Sequence, residues 1–307
     1  MPIDGVVVRS IVCELSEKLI NGRIDKISQP EPDEVILSVR NGGQNYKLLI
    51  SASPNYPRIH ITNLNKQNPL NAPMFCMVLR KYISSGKIVK IEQQNLDRII
   101  KIYIESYDEL GTLSNKILLV EIMGRRSNIT LINESNGIIL DSVKHLTAEM
   151  NSYRQILPGI KFIYPPSQDK LNTLDFSTDE LMNRVEQCSN TMKLGKFISS
   201  NLDGISLFSA KEICYIAALN PETAVSDMSE SEIARFTKAL SLFLDAVKKN
   251  IFKPCIYFDN DSMLDFYSMN LNYLKRYAVK QYESISALIE EFYFNKDKSD
   301  RARQKSS

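Results

Sequence analysis

At 307 residues with 24% of them charged, the chain is long enough for two domains of ordinary size, each with its own core. The formal charge is only +2, although residues 1–166 carry 20 basic against 16 acidic side chains and residues 167–307 carry 18 against 20. That balance excludes an argument for nucleic acid from bulk charge, so such a partner has to be read from local clusters.

The chain opens on Asp4-Gly5 as a helix entry, with Val8, Ile11, Val12, Leu15 and Leu19 at helical spacing and Gly22 as the stop. From Arg23 the period changes to two. RIDKISQP, EVILSVRN, YKLLISA and RIHIT read as four short strands, joined through Pro30, Gly42-Gly43 and Pro54/Pro57. A Met-rich helix over 73–85 interrupts them, with Pro73 in its first turn and Gly86 at its stop. Strands resume at KIVKIEQQ, DRIIKIYIES, NKILLVEIM, SNITLIN and GIILDSV, so residues 1–166 predict an α+β domain on antiparallel sheets.

The stretch ILLVEIMGRRSNITL, 117–131, organises that domain: an apolar strand, a kink at Gly124, then a second strand. Glu121 lies inside the first strand with Ile122 and Met123, and Arg125, Arg126, Ser127 and Asn128 leave the kink. A carboxylate, a glycine and two guanidinium groups suit a surface that grips phosphates while its other face packs inside; they equally suit an edge turn with solvated charges. Asp97-Arg98 opens the preceding strand and should lie beside 117–123. Asp97 could aim the planar fork of Arg98 at a phosphate or base edge, or the two could be an ordinary strand-start pair. Arg80 and Lys81 at the helix end, with Lys144, His145 and Arg154, are candidate phosphate contacts, and Lys87 and Lys90 are further cationic positions of the region.

Little else advertises chemistry. Cys13, Cys76, Cys188, Cys214 and Cys255 are odd in number, far apart and without CxxC spacing, which reads as reduced core thiols of a cytosolic protein. His60 and His145 have no paired cysteine or carboxylate spacing, which argues against zinc, and no nucleophile–base pair points to an enzyme. Neither a signal peptide nor an apolar run of membrane-spanning length is present in the sequence.

Residues 146–166, polar and closed by Pro165-Pro166, read as a boundary. Helices are expected at 179–187, 192–202, 209–219 and 231–248, within a domain of residues 167–253. Between the second and third, NLDGISLFSAKEI fits a helix-hairpin-helix unit whose Gly204 would offer a backbone N–H to phosphate, or a plain αα-hairpin; Ser206 stands where a second glycine is common. Residues 254–307 read as a hairpin, CIYFDN and MLDFYSM, around an acidic turn. A helix capped by Ser284 follows and runs into KDKSDRARQKSS, the start of a longer charged helix, so the chain reads as a fragment.

MPIDG, NAPMFCMVLRKYI, NLDRII, VEIMGRRSNITL and MNSYRQILPG occur in that order, and together they resemble the NFACT family of ribosome-associated quality control, also labelled fibronectin-binding protein A. The resemblance covers essentially the whole chain. It implies an NFACT-N domain like the N-domain of formamidopyrimidine-DNA glycosylases, a helix-hairpin-helix domain, and the first turns of a coiled coil. By implication this is a non-catalytic, cytoplasmic factor without cofactor or metal. It would bind the large ribosomal subunit carrying peptidyl-tRNA and recruit alanyl-tRNA for template-free alanine tailing. The family's tRNA-contacting Asp-Arg pair falls on Asp97 and Arg98, its Glu-Ile-Met motif on Glu121, Ile122 and Met123, and its Gly-Arg-x-Ser-Asn run on Gly124, Arg125, Ser127 and Asn128. Arg126 stands where a histidine is usual. The glycosylases attack with an N-terminal proline followed by a glutamate. Here Ile3 follows Pro2 and no four-cysteine finger exists, so Pro2 reads as incidental. A surface adhesin, the third class, would need export, and the free thiols sit badly outside the cell.

Overall fold

The structure, a computed structural model, describes residues 3–306, so Pro2 lies outside the described residues. The chain gathers into two compact units. A sheet unit holds Ile11–Gln94, Arg98–Pro166 and the residues from Ile289 onward; a helical unit holds the residues up to Ser10, Asn95–Asp97 and Ser167–Leu288.

In the sheet unit nine strands form one antiparallel sheet: β1 (Arg23–Glu31), β2 (Glu34–Asn41), β3 (Gln44–Ser51), β4 (Arg58–Thr62), β5 (Lys87–Gln93), β6 (Ile99–Tyr107), β7 (Leu113–Glu121), β8 (Asn128–Asn133) and β9 (Ile139–Ser142). Their order is β4-β3-β2-β1-β5-β6-β7-β8-β9, with β1 and β5 joined through one pair, Arg23 and Lys87. The α+β class and antiparallel pairing expected from the period-two segments are both present.

Period two also sorts the faces. Ile100, Ile102 and Ile104 of β6 are buried on one side, where α2 (Met74–Ile83) sets Phe75, Cys76, Leu79 and Ile83 against β1, β6 and β9. On the other side Ile99, Leu119 and Ile132 form a small core with Ile117, Met123 and Phe162. Phe162 belongs to the segment 146–166 that the sequence marks as a boundary, and part of that segment is core cover for the sheet. Helix α1 (Gly5–Leu19) ends as expected near Gly22, but Asn21 takes the left-handed φ of 72°, while a Cβ on Gly22 would stand 2.5 Å from Val39 Cγ1.

The helical unit contains α3 (Thr178–Gln187), α4 (Leu194–Asn201), α5 (Leu207–Ile216) and α6 (Glu230–Lys248). Ser177 with Glu180, and Ser229 with Glu232, make reciprocal capping boxes that start α3 and α6. Phe236, Leu240, Phe243, Leu244 and Val247 form the buried stripe of α6, with Phe197 edge-on to Phe236 at 6.3 Å. The same unit includes a three-stranded sheet of order β11-β10-β12, from β10 (Cys255–Asp259), β11 (Ser262–Tyr267) and β12 (Ala278–Gln281). Within residues 254–307 the strands cluster with the helices and most of α7 (Ile285–Ser306) with the large sheet. There Glu290 accepts from Thr62, Tyr56 donates to Asp300, and Tyr293 packs edge-on to Tyr56 at 5.5 Å.

Candidate nucleic-acid interface

The stretch 117–131 builds a pinned hairpin in the sheet unit. Glu121 pairs with Ile99 on one side and with Asn128 on the other, and Ile122 N donates to Arg98 O at 2.9 Å, so Arg98 lies beside the start of the turn. Gly124 takes φ 58°, which a side chain would resist, and opens a single 3-10 turn over Gly124–Arg126. Arg126 N donates to Met123 O at 3.0 Å, while buried Ser127 closes the turn by accepting from Met123 N through Oγ at 2.8 Å. Arg125 and Arg126 point from this fixed turn as exposed side chains; Arg98 is half-buried.

The polar residues around the turn divide into two groups. Asn128 is buried, and its amide donates to Lys144 O at 2.9 Å and accepts from Lys144 N at 3.0 Å and Ile129 N at 2.9 Å. That clamp places Lys144 next to the hairpin, where its Nζ donates to Ala52 O at 2.5 Å and burial holds its ammonium below the usual lysine range. His145 reaches back to Asp141 at 2.7 Å.

Glu121 and Arg154 belong wholly to the interior. Their side chains are 0% and 6% exposed and meet at 2.6 Å, with a second approach of 3.4 Å, and Arg154 also donates to Ile163 O at 2.9 Å and stacks on Phe162. Arg154, named from sequence as a candidate phosphate contact, is thus spent on a buried carboxylate; neither group is presented to a ligand.

The remaining candidates are placed elsewhere. Arg80 directs Nε and Nη2 to Ile27 O at 3.0 and 2.9 Å, and Lys81 pairs with Glu109 at 3.5 Å on the surface. Asp97 is half-buried and is counted with the helical unit. Gly204, with φ 76°, lies at a close backbone crossing: its carbonyl accepts from Gly5 N at 2.8 Å, and a Cβ on it would stand 1.9 Å from Leu96 O. The sequence offered Gly204 as a phosphate donor, but nothing in it announced this backbone crossing.

Two further polar clusters escaped the sequence reading. On β5 and β6, Glu92 joins Lys90 at 2.5 Å, Lys101 at 2.9 Å and Tyr103 at 3.1 Å; burial opposes its charge, yet these bonds together hold the carboxyl down at about 2. In the helical unit Asp4 is buried and accepts from Val6 N, Val7 N, Ser206, Ser209 and Tyr267 within 2.8–3.1 Å. Burial pushes its carboxyl up against those five bonds. Only the strand register and the tertiary fold assemble these groups.

Comparison with known proteins finds relatives along nearly the whole chain. The family described as NFACT N-terminal and middle domains matches residues 4–307. The protein named Rqc2 homolog RqcH from Bacillus subtilis is 40% identical over 304 residues, 99% of this chain and 51% of that protein. Its namesake from Streptococcus pneumoniae is 34% identical over the full chain and 50% of its own length. The chain thus spans about half the length of these curated relatives. Among solved structures, the fibrinogen binding protein from Staphylococcus aureus superposes with a TM-score of 0.80 at 29% identity, covering 95% of this chain and 99% of that one. The N-terminal part of the fibronectin/fibrinogen-binding protein from Streptococcus suis gives 0.78 at 28% identity, with the same coverage.

Proposed function

The chain belongs to the NFACT family, and from that premise we propose that it is the tRNA-docking half of a ribosome-associated quality-control factor. In this reading Arg98, which follows Asp97 in the chain, and the turn of the hairpin 121–128 form the docking surface. The observation that carries it is the exposure of Arg125 and Arg126 on a turn pinned by Ser127 and Asn128, with Arg98 hydrogen-bonded alongside. A turn whose backbone is pinned in advance loses little main-chain freedom when its two exposed arginines meet phosphates or base edges, which suits a docking surface. Glu121 and Arg154 keep the hairpin's root rigid, and Ile122 and Met123 carry its backbone.

The whole factor, about twice this length, would bind the large ribosomal subunit with its peptidyl-tRNA and bring alanyl-tRNA for template-free alanine tailing in the cytoplasm. The described cysteines are all free, which suits a reducing compartment, and no described helix is long and apolar enough to cross a membrane. The chemistry asked of this half is recognition alone. The test is a competition: alanine-acceptor tRNA should displace a labelled tRNA from the chain at lower concentration than an unrelated acceptor does. Equal displacement would contradict alanine selectivity in this half.

A second reading follows from the names of the solved relatives, which mention fibronectin and fibrinogen. It predicts saturable binding of immobilised fibronectin that Arg125→Ala/Arg126→Ala leaves intact, whereas the tRNA reading predicts that the same variant binds tRNA poorly.

A further inference from the structure

The helical unit carries a second gathering of cations and rings that the docking surface does not use. Lys275, Arg276, Tyr277, Lys280 and Tyr282 fall within eight residues, on and beside β12, whose four residues are all exposed. β12 is an edge of its three-stranded sheet. Each cation sits over a tyrosine ring: Lys275 over Tyr215 of α5 at 5.5 Å, Arg276 over Tyr277 at 4.7 Å, and Lys280 over Tyr282 at 4.9 Å from the centroid. Tyr215 is 41% exposed, and Lys211, one helical turn earlier, is exposed as well. The run 275–282 contains no acid, and among the described residues neither Lys275 nor Arg276 takes part in an ion pair.

Lysine on an edge strand commonly guards it against pairing with another chain. That accounts for a charge or two but not for a ring beneath each. A cation seated on a ring keeps its long side chain in one direction, so capturing a phosphate costs less rotamer freedom. A ring keeps a second face on which an unstacked base can lie, and Tyr215 is exposed while Tyr277 and Tyr282 are half-buried. A strand of a partner protein, the other occupant an open edge invites, would pair with the backbone of the edge and leave the rings unused.

We propose that β12 and the Tyr215 face of α5 form a second RNA-contacting surface, one that takes an unpaired RNA segment. Lys275, Arg276 and Lys280 neutralise its phosphates, and Tyr215, Tyr277 and Tyr282 stack its bases. The proposal rests on the reading of the chain as an RNA-binding factor, but on none of the hairpin's residues.

The experiment is fluorescence anisotropy of the 307-residue chain with a labelled single-stranded RNA of about twelve nucleotides, a length within the range that one such surface covers. Removing the charges in Lys275→Gln/Arg276→Gln/Lys280→Gln should weaken binding and make the slope of log affinity against log salt shallower by about 0.7 for each phosphate left without its cation. Tyr215→Leu/Tyr277→Leu should weaken it by roughly fivefold or more at every salt concentration, with the slope kept. Unchanged affinity and slope in the triple glutamine variant, with its thermal melt intact, overturns the proposal. So does a triple variant that self-associates while binding RNA as before, because the cations are then only edge guards. The hairpin reading fails separately, on a tRNA titration of Arg125→Ala/Arg126→Ala.

Discussion

The carboxylate of Glu121 and the guanidinium of Arg154 meet at 2.6 Å inside the sheet unit, with side chains only 0% and 6% exposed. This pair sets the root of the 121–128 hairpin, and it explains why a charged residue stands in an otherwise apolar strand. Breaking a buried pair from one side strands the other charge. Glu121→Ala or Arg154→Ala should therefore each cost about 3–5 kcal/mol in urea unfolding, whereas Glu121→Leu/Arg154→Met, which removes both charges, should recover most of that deficit. A single variant with unaltered unfolding would contradict the structural role.

A different part of the sheet unit should respond to acid. His60 on β4 is 1% exposed; its Nε2 lies 3.2 Å from Arg58 Nε and its Nδ1 lies 3.0 Å from Ile61 O. Burial, with the neighbouring Arg58 charge, holds it down at about 3. Because the unfolded chain takes up the proton near 6.5 and the folded chain does not, this contribution to stability is complete above about pH 6.5 and declines as pH falls toward 3. Across that window the stability of the wild type should fall more steeply than that of His60→Gln, by up to about 1.4 kcal/mol per pH unit. Parallel curves from denaturant titrations at about pH 7, 6, 5 and 4 would contradict it.

Gly204 gives a test in the helical unit. A methyl group there would meet Leu96 O at 1.9 Å and would also need a left-handed backbone. Gly204→Ala should lower stability by about 3 kcal/mol, combining overpacking with the φ penalty, and should do so without any RNA present. A stable Gly204→Ala chain with altered RNA affinity would instead restore the glycine as a phosphate contact.

The sheet was legible in the sequence because its strands alternate cleanly and its turns carry Gly, Pro or Asn; β6 with Ile100, Ile102 and Ile104 is an example. β12 was not, since Ala278, Val279, Lys280 and Gln281 are all exposed and leave no alternation to read. Of the candidate site, the hairpin and its adjacency to Arg98 followed from strand order alone. The assignment of Glu121 to Arg154, 33 residues away, did not, because a buried ion pair depends on tertiary placement that no local pattern encodes. The same holds for Asp4, whose donors Ser206, Ser209 and Tyr267 lie 202, 205 and 263 residues along the chain.

Arg98 and the pinned hairpin hold tRNA in this account, and the most direct measurement is the tRNA affinity of wild type and Arg98→Ala at two salt concentrations. The predicted result is a deficit on the order of 1–3 kcal/mol for a bidentate contact in a variant that melts like the wild type, with affinity falling as salt rises in both. Equal tRNA affinity in a folded Arg98→Ala chain would contradict it.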